Sequence, residues 1–94
     1  MDQLANIEEA SRYYLRFTVR DVPGVLGQIA GVLEKNNIGI AAVYQDVEQQ
    51  KRQAYVVIFT QQAFYKNVVK ALQQIDRLKV IVKSTLMMPI EEHL

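Results

Sequence analysis

The chain has 94 residues, half of them hydrophobic and 22% charged, which is the composition of a folded domain and excludes disorder. A chain of this size buries only roughly 60–65% of its unfolded surface, so its core is thin and oligomerisation is a natural supplement. The formal net charge of +1 leaves no electrostatic footprint for nucleic acid or membrane, no apolar run approaches the roughly 20 residues of a bilayer span, and the absence of cysteine excludes disulfides and thiolate sites and suits a reducing cytoplasm.

Residues 1–11 are polar and acidic and read as a lead-in. They have neither the basic nor the apolar region of a signal peptide. Tyr13, Leu15, Phe17 and Val19 then alternate with Tyr14, Arg16, Thr18 and Arg20, the period of a strand with one buried face. The stretch Asp21-Val22-Pro23-Gly24-Val25-Leu26 follows. Pro23 fits the first turn of a helix, and Gly24 lets backbone or a ligand approach closely. The free N–H groups of that helix start could hold a small anion. Asp21 reads equally as a turn residue or as a ligand group.

The first helix spans about Pro23 to Lys35, with Val25, Leu26, Ile29, Ala30, Val32 and Leu33 as its apolar stripe. Gly27 and Gly31, four apart, predict the close approach of another element. Asn36-Asn37 ends the helix, because asparagine tolerates the left-handed conformation. The second strand spans about Ile38 to Val47, with Ile38, Ile40, Ala42 and Tyr44 on one face and Gly39, Ala41, Val43 and Gln45 on the other. The polar run Glu48 to Arg52 predicts a loop longer than the tightest hairpins. The third strand, Gln53 to Thr60, is apolar on both faces and belongs mid-sheet. Thr60 is a candidate cap for a second helix over Gln61 to Arg77, with Phe64, Val68, Ala71, Leu72 and Ile75 buried and Lys66, Lys70, Gln73 and Gln74 facing water. The fourth strand spans Lys79 to Met88, where Pro89 and the acidic tail stop it. The order βαββαβ predicts an α+β fold: a four-stranded antiparallel sheet with both helices on one face. The other face then carries apolar side chains of the third strand, joined by Ala41 and Val43, and marks an interaction surface.

Catalytic signatures are missing. The single histidine, His93, sits at the chain end, and Asp21, Asp46 and Asp76 are scattered rather than set at metal-ligand spacing. Neither a metal nor another cofactor is expected. Gly24, Gly27 and Gly31 match neither the dinucleotide fingerprint nor the phosphate loop. The same element order builds the RNA recognition motif, but Tyr55 and Phe59 are four apart and the basic-glycine-aromatic opening is absent. Tyr13, Tyr14 and Tyr44 read as strand aromatics packed on neighbours. An acylphosphatase-like hydrolase would want an anion loop with an arginine and a nearby asparagine, and Arg20 alone points that way.

Asp21 through Leu26 matches the Asp-x-Pro-Gly-Val-Leu motif of the ACT domain without a gap, and Gln28 to Leu33 and Asn37 to Ile40 extend the match. The chain therefore resembles this amino-acid-sensing module, over about residues 12–90, with 91–94 as a tail. It is most similar to the C-terminal ACT domain of bacterial homoserine dehydrogenase, through Ser11 to Arg16, Val43-Tyr44-Gln45, Val57 to Thr60 and Ala71 to Leu78. The resemblance implies a ferredoxin-like sandwich with no catalytic residues of its own. It also implies a homodimer or larger homo-oligomer and attachment to an NAD(P)-dependent catalytic region. The implied effector is threonine or a related amino acid. Its binding site would consist of Asp21, Val22, Pro23, Gly24, Val25 and Leu26 of one subunit, facing Ile40, Ala41, Ala42, Val43, Tyr44 and Gln45 of another. Asp21 or Gln45 would receive the ammonium, and Val25 and Ala42 would shape the side-chain pocket. Two departures stand out: Gly39 and Ala42 occupy positions where that family often has serine, and Gln61 follows Thr60 where it commonly has histidine. A module that oligomerises without a ligand is the alternative reading.

Overall fold

The computed structural model describes residues 10–90, so the lead-in to residue 9, the tail 91–94 and His93 lie outside the described residues. The elements are β1 (Ala10–Arg20), α1 (Val25–Lys35), β2 (Ile40–Glu48), β3 (Gln53–Thr60), β4 (Ala63–Phe64), α2 (Tyr65–Ile75) and β5 (Ile81–Ile90). All strand pairs are antiparallel, and β1 lies between β3 and β5 with β2 outside β3. The expected four-stranded sheet gains a fifth, two-residue strand: β4 pairs Ala63 and Phe64 with Ser11 and Ala10. β1 accordingly starts two residues before the predicted domain boundary.

One face of the sheet carries the core. Leu15, Phe17 and Val19 of β1 and Ala54, Val56 and Ile58 of β3 are buried there against Val25, Ile29 and Leu33 of α1 and Val68, Ala71 and Ile75 of α2. Period two in the strands and the 3.6-residue stripe in the helices meet on this surface. β3 sits mid-sheet as expected, but only this face of it is sealed; Tyr55, Val57 and Phe59 on the other face are half-buried.

Both helices start later than their sequence patterns suggest. α1 begins at Val25, not Pro23. Gly24 adopts φ 84° and ψ −1°, the third position of a type II turn with Pro23 at its second. Proline and glycine therefore make the turn before the helix rather than its first turn. The C-terminal end matches expectation. Asn37 is left-handed at φ 64°, the Ile38 N–H donates to the Leu33 carbonyl (2.9 Å) and the Asn37 N–H to that of Glu34 (3.0 Å), a Schellman motif. α2 begins at Tyr65, and Thr60 does not cap it. Thr60 ends β3 fully buried, and its Oγ1 accepts the Tyr13 N–H at 2.9 Å. Phe64, placed in the buried stripe of this helix by its spacing, is 38% exposed in β4. Gln74 does not simply face water: its Oε1 accepts from Asn36 Nδ2 at 3.0 Å and ties the two helices together.

Two strands depart from simple alternation. In β2 the register slips between Ile40 and Ala42, so Ala41 is the extra residue of a bulge. Ala42 and Tyr44 then face the open side with Phe59 and Val57, while Val43 lies beside Ile58 on the helix side. The expectation that Val43 joins the open face is therefore wrong, and Ala41, as the unpaired bulge residue, has no partner there to join. There Tyr44 packs edge-on against Phe59 (5.9 Å between ring centres), and Phe59 against Tyr14 (5.5 Å). β5 runs through Pro89, which pairs with Tyr13, and shows two register slips. Proline does not end this strand because β5 is an edge, where a missing N–H breaks no ladder. No helix among the described residues is long and apolar enough to cross a membrane.

Candidate functional site

The loop between β1 and α1 is fixed by backbone bonds. The Asp21 N–H donates to the Arg52 carbonyl (2.9 Å), the Val22 N–H to that of Arg20 (2.9 Å), and the Arg20 N–H to that of Val80 (2.8 Å). The turn at Pro23-Gly24 then delivers the chain into α1. Gln28 N–H reaches the Gly24 carbonyl (3.1 Å) as the first helical bond, and no side chain caps the start. The N–H groups of Val25, Leu26 and Gly27 are left without helical acceptors, and their partial positive charge is available to an anion. Asp21, Val22, Pro23 and Gly24 are exposed around this start. Val25 differs: it is 4% exposed, and its side chain belongs to the core, so its backbone N–H is what the loop presents.

The two sets of predicted site residues do not meet within one chain. Ala42 is level with Phe59 at one end of β3, whereas Asp21 is bonded to Arg52 beyond its other end. Six or seven residues of strand separate those levels, roughly 20 Å, far more than a small amino acid spans. The bulge also divides the β2 residues. Val43 and Gln45 lie on the helix side of the sheet, the side of the α1 start, while Ala42 faces away.

The helices leave β2 bare. On their side of the sheet Val43 is 36% and Val47 46% exposed. Gly27 and Gly31 are exposed on α1, and a Cβ built on either meets nothing within 4 Å. The close neighbour expected at this pair is absent among the described residues. Among the described residues β2 pairs with β3 alone, which leaves its other edge free.

The departures at positions 39 and 61 are one local arrangement. The Gln61 N–H donates to the Gly39 carbonyl (2.9 Å), and the Gln61 Oε1 lies 2.6 Å from where a Cβ on Gly39 would stand. A side chain at 39 would require the exposed Gln61 side chain to move aside, a coupling that a reading along the sequence misses because the residues are far apart in it. No group of three or more acidic, histidine or cysteine residues able to hold a metal occurs among the described residues.

Comparison with known proteins agrees with this architecture. A family model described as the ACT domain matches residues 13–80. A homoserine dehydrogenase of Neisseria gonorrhoeae is 36% identical over 84 residues, which cover 89% of this chain and 19% of that protein. The crystal structure of a homoserine dehydrogenase from Thiobacillus denitrificans superimposes with a TM-score of 0.81 at 28% identity, over 93% of this chain and 19% of that one. The ACT domain from the GTP pyrophosphokinase of Chlorobium tepidum, at 11% identity, shares the fold with a TM-score of 0.68 over 84% of this chain and 99% of that one. The chain thus spans about a fifth of the length of the homoserine dehydrogenases it matches.

Proposed function

The chain belongs to the ACT domain family, and from that premise we propose that it is the regulatory, amino-acid-binding part of an enzyme of the homoserine dehydrogenase type acting in the cytoplasm. The observation that carries this reading is the uncapped start of α1 behind the Pro23-Gly24 turn. The α-carboxylate of an amino acid docks on the free N–H groups there, and Asp21 receives the ammonium. The effector is threonine or a close relative.

The remaining walls come from a second copy. Within one chain Ala42 stands roughly 20 Å and Gln45 roughly 13 Å along the strand from the level of the loop, so a closed site needs two chains. Exposed Val43 and Val47, the bare glycines of α1 and the free edge of β2 form the surface through which copies pair side by side. Val43 and Gln45 of the second copy then face the ligand. Binding at such a joint changes how the copies pack, and this biases the attached catalytic region by the ligand's differential affinity for the two arrangements.

Calorimetry on the assembled oligomer with threonine, isoleucine and serine tests the reading. Saturable binding of at least one at millimolar concentration, lost in Asp21→Ala, is expected; no binding by any of them would sink it. A ligand-free oligomerisation module is the second reading. It is favoured by Gln61 filling the place of a side chain at Gly39 and by Ala42 facing away from the helix side. An intact dimer that binds no amino acid would support it.

A further inference from the structure

A second concave feature adjoins the loop; it shares Asp21 and Val22 with the proposed amino-acid site, whereas its three cations take no part in that reading. It is a groove of about 480 Å³ between the end of β1, the β2–β3 turn and the start of β5, with Val82 and Gln53 forming part of its wall. Arg20, Lys51 and Arg52 line it against a single carboxylate, that of Asp21. Three cations against one carboxylate leave this spot locally positive in a chain whose net charge is only +1. None of the three cations has an ion pair or a side-chain hydrogen bond among the described residues.

Backbone geometry adds an independent observation. Arg52 is left-handed at φ 54° and ψ 38°. Side chains are disfavoured in that region, and glycine or asparagine closes such a turn with less strain. An arginine held there keeps a guanidinium at the groove, and its carbonyl is the acceptor of the Asp21 N–H.

We propose that this groove binds a small dianion, the phosphate of a monoester or a dicarboxylate, and that its occupancy steadies the loop leading into α1. Two guanidinium forks and an ammonium match either anion by charge-assisted hydrogen bonds. The site is open to solvent, so its affinity falls as salt rises. The link to the loop is the single bond from Asp21 to Arg52. An anion that orders Arg52 also protects that bond.

The test is a titration of the 94-residue chain, followed by amide NMR, with inorganic phosphate and, separately, with succinate, each against chloride at matched ionic strength. Saturating shifts at Asp21, Arg52 and Gln53 are expected, with slower exchange of the Asp21 N–H in the bound form. Saturation by phosphate alone identifies a monoester site, and by succinate alone a dicarboxylate site. Combining Lys51→Gln with Arg52→Gln should weaken binding by about tenfold or more, as loss of charge-assisted contacts predicts. Arg20→Gln provides an independent variant whose turn is untouched. Linear, unsaturated shifts with both anions, or equal affinity in the variants and the parent chain, would overturn the site. Binding without slower Asp21 exchange would overturn the coupling to the loop.

Discussion

An alanine at Gly24 would find empty space and still be strained. Nothing lies within 4 Å of a Cβ there, yet φ is +84°. Gly24→Ala should therefore destabilise the chain by about 1–2 kcal/mol through the backbone alone, read as a lower urea midpoint with an unchanged slope. Thr60 is the converse case, a side chain held by its surroundings. Its buried hydroxyl accepts the Tyr13 N–H at 2.9 Å. Thr60→Val keeps the volume and removes that acceptor, and should cost about 1–3 kcal/mol in the same unfolding experiment. A fall below a few tenths would mean that the hydrogen bond is replaced. The Gly39 and Gln61 pair is a third residue-scale device: a side chain at 39 requires the glutamine to swing away.

Among the described residues, a part-buried polar bridge joins the C-terminal ends of the two helices. Asn36 Nδ2 donates to the Val32 carbonyl at 2.8 Å and to Gln74 Oε1 at 3.0 Å. Asn36→Ala should destabilise by about 1–2 kcal/mol, and Gln74→Ala on top of it should add less than it does alone, as a double-mutant cycle would measure. Element types and the core faces were readable in the sequence because polarity alternates cleanly along β1 and recurs at 3.6 residues along both helices. The C-terminal end of α1 was readable because Asn36-Asn37 suits one role. Its start was not: Pro-Gly satisfies both a first helical turn and a type II turn, and only Gly24's φ decides. The bulge at Ala41 was hidden for another reason. Ile40-Ala41-Ala42-Val43 has no polar residue to mark which face each takes, so a one-residue slip leaves no trace. The loop half of the candidate site was legible from its motif, whereas the cationic groove was not. Arg20 and Arg52 are brought together only by the pairing of β1 with β3.

For the whole molecule, the bare side of β2 sets the expected assembly. A lysine placed among exposed apolar residues at a sheet edge opposes pairing. On the proposed pairing through β2, the parent chain should scatter light as a dimer and Val43→Lys as a monomer, with circular dichroism checking that the variant stays folded. A dimer that survives this substitution would move the interface elsewhere, to the aromatic face of Tyr14, Tyr44 and Phe59. The sheet's two margins are unequal. β5 carries two register slips and Pro89, while β2 runs from Ala42 to Glu48 without a further slip or a proline. Strand addition at the smooth margin therefore leaves two blunt ends outward, and a third copy finds no template. If copies pair through β2 as proposed, the irregular β5 is the edge left outward and opposes further strand addition, so sedimentation should find two copies and no longer assemblies.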